Sequence, residues 1–85
     1  MDNWYVYILY SPLTDKYYTG STNNLESRLS HHNCGLTKST KAGAPRWKIV
    51  YTETHPTREH ALRREKEIKN KKSRKYIEWL IASTG

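Results

Sequence analysis

Residues 4–10 read Trp-Tyr-Val-Tyr-Ile-Leu-Tyr, an unbroken run of aromatic and β-branched residues with a single Leu. Such side chains suit a pleated, buried surface, so the run reads as a strand rather than a helix. Ser11-Pro12-Leu13-Thr14-Asp15 interrupts it with turn chemistry, because Pro presets φ and Asp and Ser hydrogen-bond their own backbone. Lys16-Tyr17-Tyr18-Thr19 then resumes a strand that ends at Gly20. Two strands joined this closely form an antiparallel hairpin. A turn centred near Pro12–Leu13 sets Tyr7 opposite Tyr18, with both phenols on one sheet face. The plain account is that tyrosine packs well in strands. A functional account needs other residues to converge on the pair.

At 85 residues the chain reads as one domain, residues 1–85, that needs all of its length to fold. A domain this small buries only about 60–65% of the surface its unfolded chain exposes. Hydrophobic residues make up 35% and Phe is absent, so the three Trp and seven Tyr must supply much of the core. The single Cys34 excludes an internal disulfide and a multi-cysteine zinc site, which fits a reduced, cytoplasmic setting. No apolar run approaches the roughly 18 residues of a membrane span, and the N-terminus lacks a signal-peptide apolar region. Fifteen Lys and Arg against eight Asp and Glu give a net charge of +7. That balance predicts attraction to polyanions, nucleic acid above all, although a basic surface can also be merely a soluble one.

After the hairpin a helix begins at Asn23 or Asn24; Asn23 as N-cap would place Glu26 at N3, a capping-box arrangement. Gly35 is its natural stop. Leu25, Arg28, Leu29 and His32 fall at i, i+3, i+4 and i+7, the stripe a helix turns to its core. Two of those four are polar, and a lone buried charge is costly, so the stripe is expected to line a polar pocket. From Leu36 to Pro45 the chain reads as a flexible basic loop, with Lys38 and Lys41 suited to phosphate contacts or equally to a solvated connection. Arg46–Glu53 reads as a third strand, reached through a crossover because a helix intervenes. Thr57 is the expected N-cap of a second helix whose inner face is Ala61, Leu62 and Ile68. Glu65 points inward with them, as a partner for Arg28 or as a ligand for a hard cation. Residues 58–75 carry nine Lys and Arg against three Glu, a phosphate-binding surface that includes Arg63 and Lys69. Ser73 can cap a last helix in which Tyr76, Ile77, Leu80 and Ile81 pack back on the sheet, with Trp79 at the boundary. The expected fold is α+β and sandwich-like. It has a small three-stranded sheet, mixed or antiparallel, flanked by about three helices in the order β-β-α-β-α-α.

With these residues placed, the chain resembles the GIY-YIG nuclease superfamily, and most of all its small stand-alone bacterial members. The first tripeptide reads Tyr5-Val6-Tyr7, the second Tyr18-Thr19-Gly20, and Arg28 stands eight residues after that glycine. A His-x-x-Gly follows from His32 to Gly35, and the metal-site helix reads Ala61-Leu62-Arg63-Arg64-Glu65. Tyr5 replaces the name-giving Gly, and Thr19 replaces Ile. Ser21 stands where the nucleotide-excision-repair relative carries a lysine beside the scissile phosphate. Asn70 is the weak candidate for an asparagine that some members place beyond the glutamate.

The resemblance implies metal-assisted hydrolysis of a nucleic-acid phosphodiester, DNA before RNA, in repair or recombination. Glu65 would hold one Mg²⁺ or Mn²⁺, and Arg28 would clamp a phosphate oxygen. Tyr7 would take a proton from the attacking water, with Tyr18 and His32 orienting it or sharing the proton. A free tyrosine is ionised to only about one part in a thousand at pH 7, so this role asks for nearby positive charge to lower its pKa. Gly20 would let the substrate approach the backbone, with Ser21 beside it. Recognition of backbone and shape rather than sequence is expected, with selectivity for structured or single-stranded DNA or a partner protein supplying specificity. The rival readings are a non-catalytic nucleic-acid binder of the same fold and a protein-interaction module using Trp4, Trp47 or Trp79.

Overall fold

The computed structural model describes residues 3–35 and 37–83. Its elements are β1 (Trp4–Ser11), β2 (Lys16–Thr22), α1 (Leu25–Asn33), a 3-10 turn (Lys41–Gly43), β3 (Lys48–His55), α2 (Arg58–Lys71) and α3 (Arg74–Ser83). The sheet has the order β2-β1-β3 and is antiparallel throughout. The expected α+β class and element order are therefore those observed.

β1 is the central strand, which explains its unbroken apolar run: it is covered on both faces, so polar alternation has no place in it. Successive side chains point to opposite faces. Val6 and Ile8 meet Tyr51, Ala61, Ile68 and Leu80 on the side of α2 and α3. Tyr7 and Leu9 meet Trp47, Tyr18, Leu25 and Leu29 on the side of α1.

The hairpin register differs from the expectation. Ser11 pairs with Lys16, so the loop takes residues 12–15, and Tyr7 lies opposite Gly20 while Tyr18 lies opposite Leu9. Asp15 sets this geometry. It adopts a left-handed conformation with φ of 52°. Its N–H donates to the Ser11 carbonyl, and its carboxylate accepts from Tyr10 Oη and Arg74 Nη2. The two phenols still share a face, as diagonal neighbours with ring centroids 6.5 Å apart.

Asn24, not Asn23, caps α1: its side chain accepts from the Ser27 N–H, which puts Ser27 rather than Glu26 at N3. Gly35 follows the helix at φ of 77°, a conformation that favours glycine. β3 begins at Lys48 rather than Arg46, because Asn33 of α1 holds the Trp47 N–H at 2.8 Å and its carbonyl at 2.9 Å. Thr57 and Ser73 cap the later helices as expected, accepting from the His60 and Tyr76 N–H groups. Tyr76, Ile77, Leu80 and Ile81 pack on the core, and Trp79 is 62% exposed. No helix among the described residues is long and apolar enough to cross a membrane.

Candidate active site

Tyr7 rises from the middle of β1 across the partner strand at Gly20. A Cβ at Gly20 would run into the Tyr7 phenol oxygen, so this glycine is required by close approach. The phenol oxygen lies 3.0 Å from His32 Nε2, and His32 Nδ1 lies 2.9 Å from Thr40 Oγ1. His32 is 2% exposed and Thr40 1% exposed. The histidine is thus the buried end of α1's inner face rather than a surface residue. Tyr18 packs alongside, its ring centroid 4.8 Å from that of the imidazole and tilted 58° to it.

Burial first, then the charge of Arg28 and the neighbouring His31, draw the His32 pKa down to about 4. The imidazole is therefore neutral at physiological pH and has one donor and one acceptor nitrogen. Burial and the adjacent Tyr18 push the Tyr7 phenol well above its ordinary value; Arg28 opposes this and Glu65 adds to it. The lowered tyrosine pKa that a simple base would want is not found, because a single exposed guanidinium does not offset burial. A protonated phenol donates, so the network assigns Tyr7 O–H to Nε2 and Nδ1–H to Thr40 Oγ1.

The loop carrying Thr40 also differs from its expected role. Leu36 lies outside the described residues. From Thr37 onward the segment is a support rather than a free basic loop: the Thr40 carbonyl accepts from Trp47 Nε1 at 2.7 Å, and Ser11 Oγ donates to the Gly43 carbonyl at 2.8 Å. Lys38 and Lys41 are exposed on it, with no contact that draws them to Tyr7.

Glu65 approaches from α2 on the other sheet face. Its Oε1 accepts from Ser21 Oγ at 2.6 Å, and its Oε2 lies 2.7 Å from Lys69 Nζ. The Glu65 side chain is 18% exposed and Lys69 is 48% exposed. Lys69 also lies 5.6 Å from the centre of the Tyr18 ring, so it spans the edge of β2 between the two faces. Ser21 is thereby a carboxylate-orienting group.

Arg28 departs from its expected inward position. It is exposed, and lines a shallow polar cleft with Thr22, Ser27 and His31. The inner face of α1 is made by Leu25, Leu29 and His32, and the carboxylate that could have drawn Arg28 inward is engaged by Ser21 and Lys69. Arg28 remains close enough to act electrostatically on both Tyr7 and His32. Arg63 does not join the site either. With Lys66, Glu67, Asn70 and Lys71 it lines a depression on the outer side of α2. Asn70 therefore has no place beside Glu65.

Among the described residues no group of three or more His, Cys, Asp or Glu converges. One carboxylate with a hydroxyl beside it still fits a hard cation of the Mg²⁺ type, which keeps several waters and takes one or two carboxylates plus phosphate oxygens. Sequence reasoning missed Thr40 as the support of His32, and Asn33 as the brace of Trp47. Neither carries a periodic signal, since both are polar residues in a polar stretch.

Comparisons with known proteins converge on one family. The GIY-YIG catalytic domain model matches residues 3–77. A UPF0213 protein of Natronomonas pharaonis is 33% identical over 81 residues, which is 95% of this chain and 94% of that protein. A UPF0213 protein of Staphylococcus haemolyticus is 41% identical over 70 residues, covering 81% of this chain and 83% of its own. The solution NMR structure of a UPF0213 protein from Bacillus halodurans superposes with a TM-score of 0.61 at 36% identity, over 98% of this chain and 86% of that one.

Proposed function

This chain belongs to the GIY-YIG family, and from that premise we propose that it is an endonuclease hydrolysing nucleic-acid phosphodiester bonds, DNA before RNA, with one Mg²⁺ or Mn²⁺ per site. The observation that carries the reading is the buried Tyr7–His32–Thr40 chain with Glu65 within electrostatic reach of the same phenol. A packing role for Tyr7 and His32 does not account for a guanidinium from α1 and a carboxylate from a third element, α2, both acting on the Tyr7 phenol.

When bound at Glu65, the cation would neutralise charge on the phosphate and the leaving oxygen. The chain's own residues supply the rest. Tyr7 keeps its proton at neutral pH, so it acts as a relay. It accepts a proton from the attacking water while its own passes to Nε2 of the neutral His32. Thr40 Oγ1, as acceptor from Nδ1–H, holds that tautomer and steadies the imidazolium that forms. Arg28 stands at the mouth of the site, where its guanidinium binds a phosphate oxygen whose charge grows in the transition state. Neutralising Arg28 with phosphate also removes one of the charges that depress His32, making the imidazole a better acceptor once substrate is in place. Ser21 orients Glu65.

Basic side chains on α2 and the exposed Lys38 and Lys41 would bind backbone rather than bases, so low sequence selectivity is expected. A partner protein, a cytoplasmic location and a role in repair or recombination complete the proposal.

The test is cleavage of labelled single-stranded, duplex and branched DNA and of RNA, by wild type, Glu65→Ala and Tyr7→Phe, with Mg²⁺, Mn²⁺ or EDTA. Cation-dependent cutting lost in both variants supports the reading. Wild-type rates in Tyr7→Phe would remove Tyr7 from the mechanism. A second reading, a non-catalytic nucleic-acid binder, has one observation in its favour: both Glu65 oxygens are already engaged. It predicts salt-sensitive binding without cutting under every condition.

A further inference from the structure

The Lys69 ammonium lies 2.7 Å from Glu65 Oε2, engaging the carboxylate that would hold a divalent cation, and it also borders a second feature. Between the edge strand β2 and the α2–α3 junction runs a groove of about 420 Å³. Lys16, Lys69, Lys72 and Arg74 line it, with Tyr17 and Tyr18 on one wall and no carboxylate among its lining residues. Arg74 is not a free charge there: Asp15 and Glu78 hold its guanidinium, which lies 5.0 Å from the Tyr17 ring centre. Lys16 and Lys72 have no ion pair among the described residues. Lys69 therefore stands between one carboxylate it neutralises and a groove whose charged lining residues are all basic.

We propose that Lys69 is an exchangeable counter-ion. It holds Glu65 while the site is empty and transfers its ammonium to a substrate phosphate in the groove, freeing the carboxylate for the cation. The inference rests on the nuclease reading and adds to it a coupling between substrate and cation.

Three features make the exchange feasible. The pair is an i,i+4 Glu→Lys contact on a partly exposed helix face, and such solvent-screened pairs are weak. The lysine stem is long and flexible, and its ammonium is a point charge that accepts any oxygen anion. Its other contact is the Tyr18 ring at 5.6 Å, which imposes no hydrogen-bond direction and lets the head swing along the strand edge. Ser21 Oγ keeps the second carboxylate oxygen in place while Lys69 moves, so the carboxylate stays oriented. Thermodynamic reciprocity then requires nucleic acid to tighten cation binding and the cation to tighten nucleic-acid binding by the same factor.

The experiment measures Mn²⁺ binding by the loss of the free-ion EPR signal, in the Tyr7→Phe background so that added DNA stays intact, with DNA alone as the blank. Without DNA, adding Lys69→Met should tighten Mn²⁺ binding about three- to tenfold. With a short DNA oligonucleotide, the Lys69-containing protein should gain several-fold in Mn²⁺ affinity and the Lys69→Met protein markedly less. Equal affinity of the two proteins without DNA overturns the inference, even where wild type cuts DNA in a Glu65-dependent way. Mn²⁺ affinity unchanged by Glu65→Gln overturns the cation site itself, and the inference with it. A loss of folding in Lys69→Met is controlled by far-UV circular dichroism, and Lys69→Gln, which removes the charge but keeps a polar head on a chain one atom shorter, serves as the second variant.

Discussion

The two faces of the sheet are packed by different means. Toward α2 and α3, Val6, Ile8, Ile68 and Leu80 are held by burial alone, which is non-directional. Toward α1 the buried layer contains a phenol, an imidazole, a threonine hydroxyl and an indole N–H, each with a named partner. A hydrogen bond adds little net stability, whereas an orphaned buried polar group is costly. The first face is therefore sensitive to lost volume and the second to changed chemistry. One strand, β1, serves both, and it places stability and the reacting groups on alternate residues.

The largest expected effect breaks the aliphatic face. Ile8→Ala removes a fully buried side chain and should cost about 2–5 kcal/mol. That is a large share of the stability of so small a domain, and Ile8→Val at about 1 kcal/mol is the milder control. In urea titration both should lower the midpoint, while the cleavage rate per folded molecule stays within twofold. A rate lost in proportion to neither stability nor folded fraction would show that the two faces are not separable.

Acid probes the other face. His32 is folded with a pKa of about 4 against an ordinary 6.5, so between these values the unfolded chain binds more protons than the native one. Stability is full above about pH 6.5 and falls as the pH drops toward 4, by about 2–3 kcal/mol from this residue alone. His32→Gln should flatten that limb of a pH-dependent urea midpoint series. An unchanged slope would mean that His32 is not the group responsible.

Thr40→Val is smaller in stability and larger in specificity. It leaves the shape but removes the acceptor of His32 Nδ1–H, at a cost of about 1–3 kcal/mol. Because it frees the tautomer without removing the imidazole, cleavage should fall by about ten- to a hundredfold, less than the roughly 10²–10⁴-fold of general acid–base catalysis itself. Ile8→Val, of similar stability cost, is the direct contrast. Equal rates in the two variants would collapse the distinction between the faces.

The hairpin, the helices and the Thr57 and Ser73 caps were legible because periodicity and turn chemistry are local, whereas the adjacent Asn23 and Asn24 left the cap of α1 open. The register was not. It depends on Asp15 at φ of 52° and on Arg74, which reaches the same carboxylate from 59 residues away. Arg28 was read as inward because it shares a stripe with Leu25, Leu29 and His32; a helical stripe does not reveal which of its members lies at the rim. Thr40 sits between Lys38 and Lys41 in a polar stretch without period, so nothing distinguished it from a solvated threonine. Ser21 and Lys69 were read as substrate-facing, since the carboxylate that engages Ser21 is 44 residues distant. The chemistry-bearing residue types were visible in the chain, whereas their partners required the fold.

The smallest expected effect falls where the two faces meet. Lys69 pairs with Glu65 from α2 and lies over the Tyr18 ring from the α1 side. It is about half exposed, so the ion pair is screened and Lys69→Met should change stability by less than about 0.5 kcal/mol. That smallness gives the substitution its use. Removing a lysine that bound only nucleic acid would weaken DNA binding and leave Mn²⁺ affinity alone, whereas removing a counter-ion should move the two in opposite directions. A urea midpoint unchanged within error, beside a Mn²⁺ affinity that rises and a DNA affinity that falls, would place the coupling of the two faces at this one side chain. A midpoint that drops by more than 1 kcal/mol would instead make Lys69 part of the packing, with the edge of β2 belonging to the aliphatic face after all.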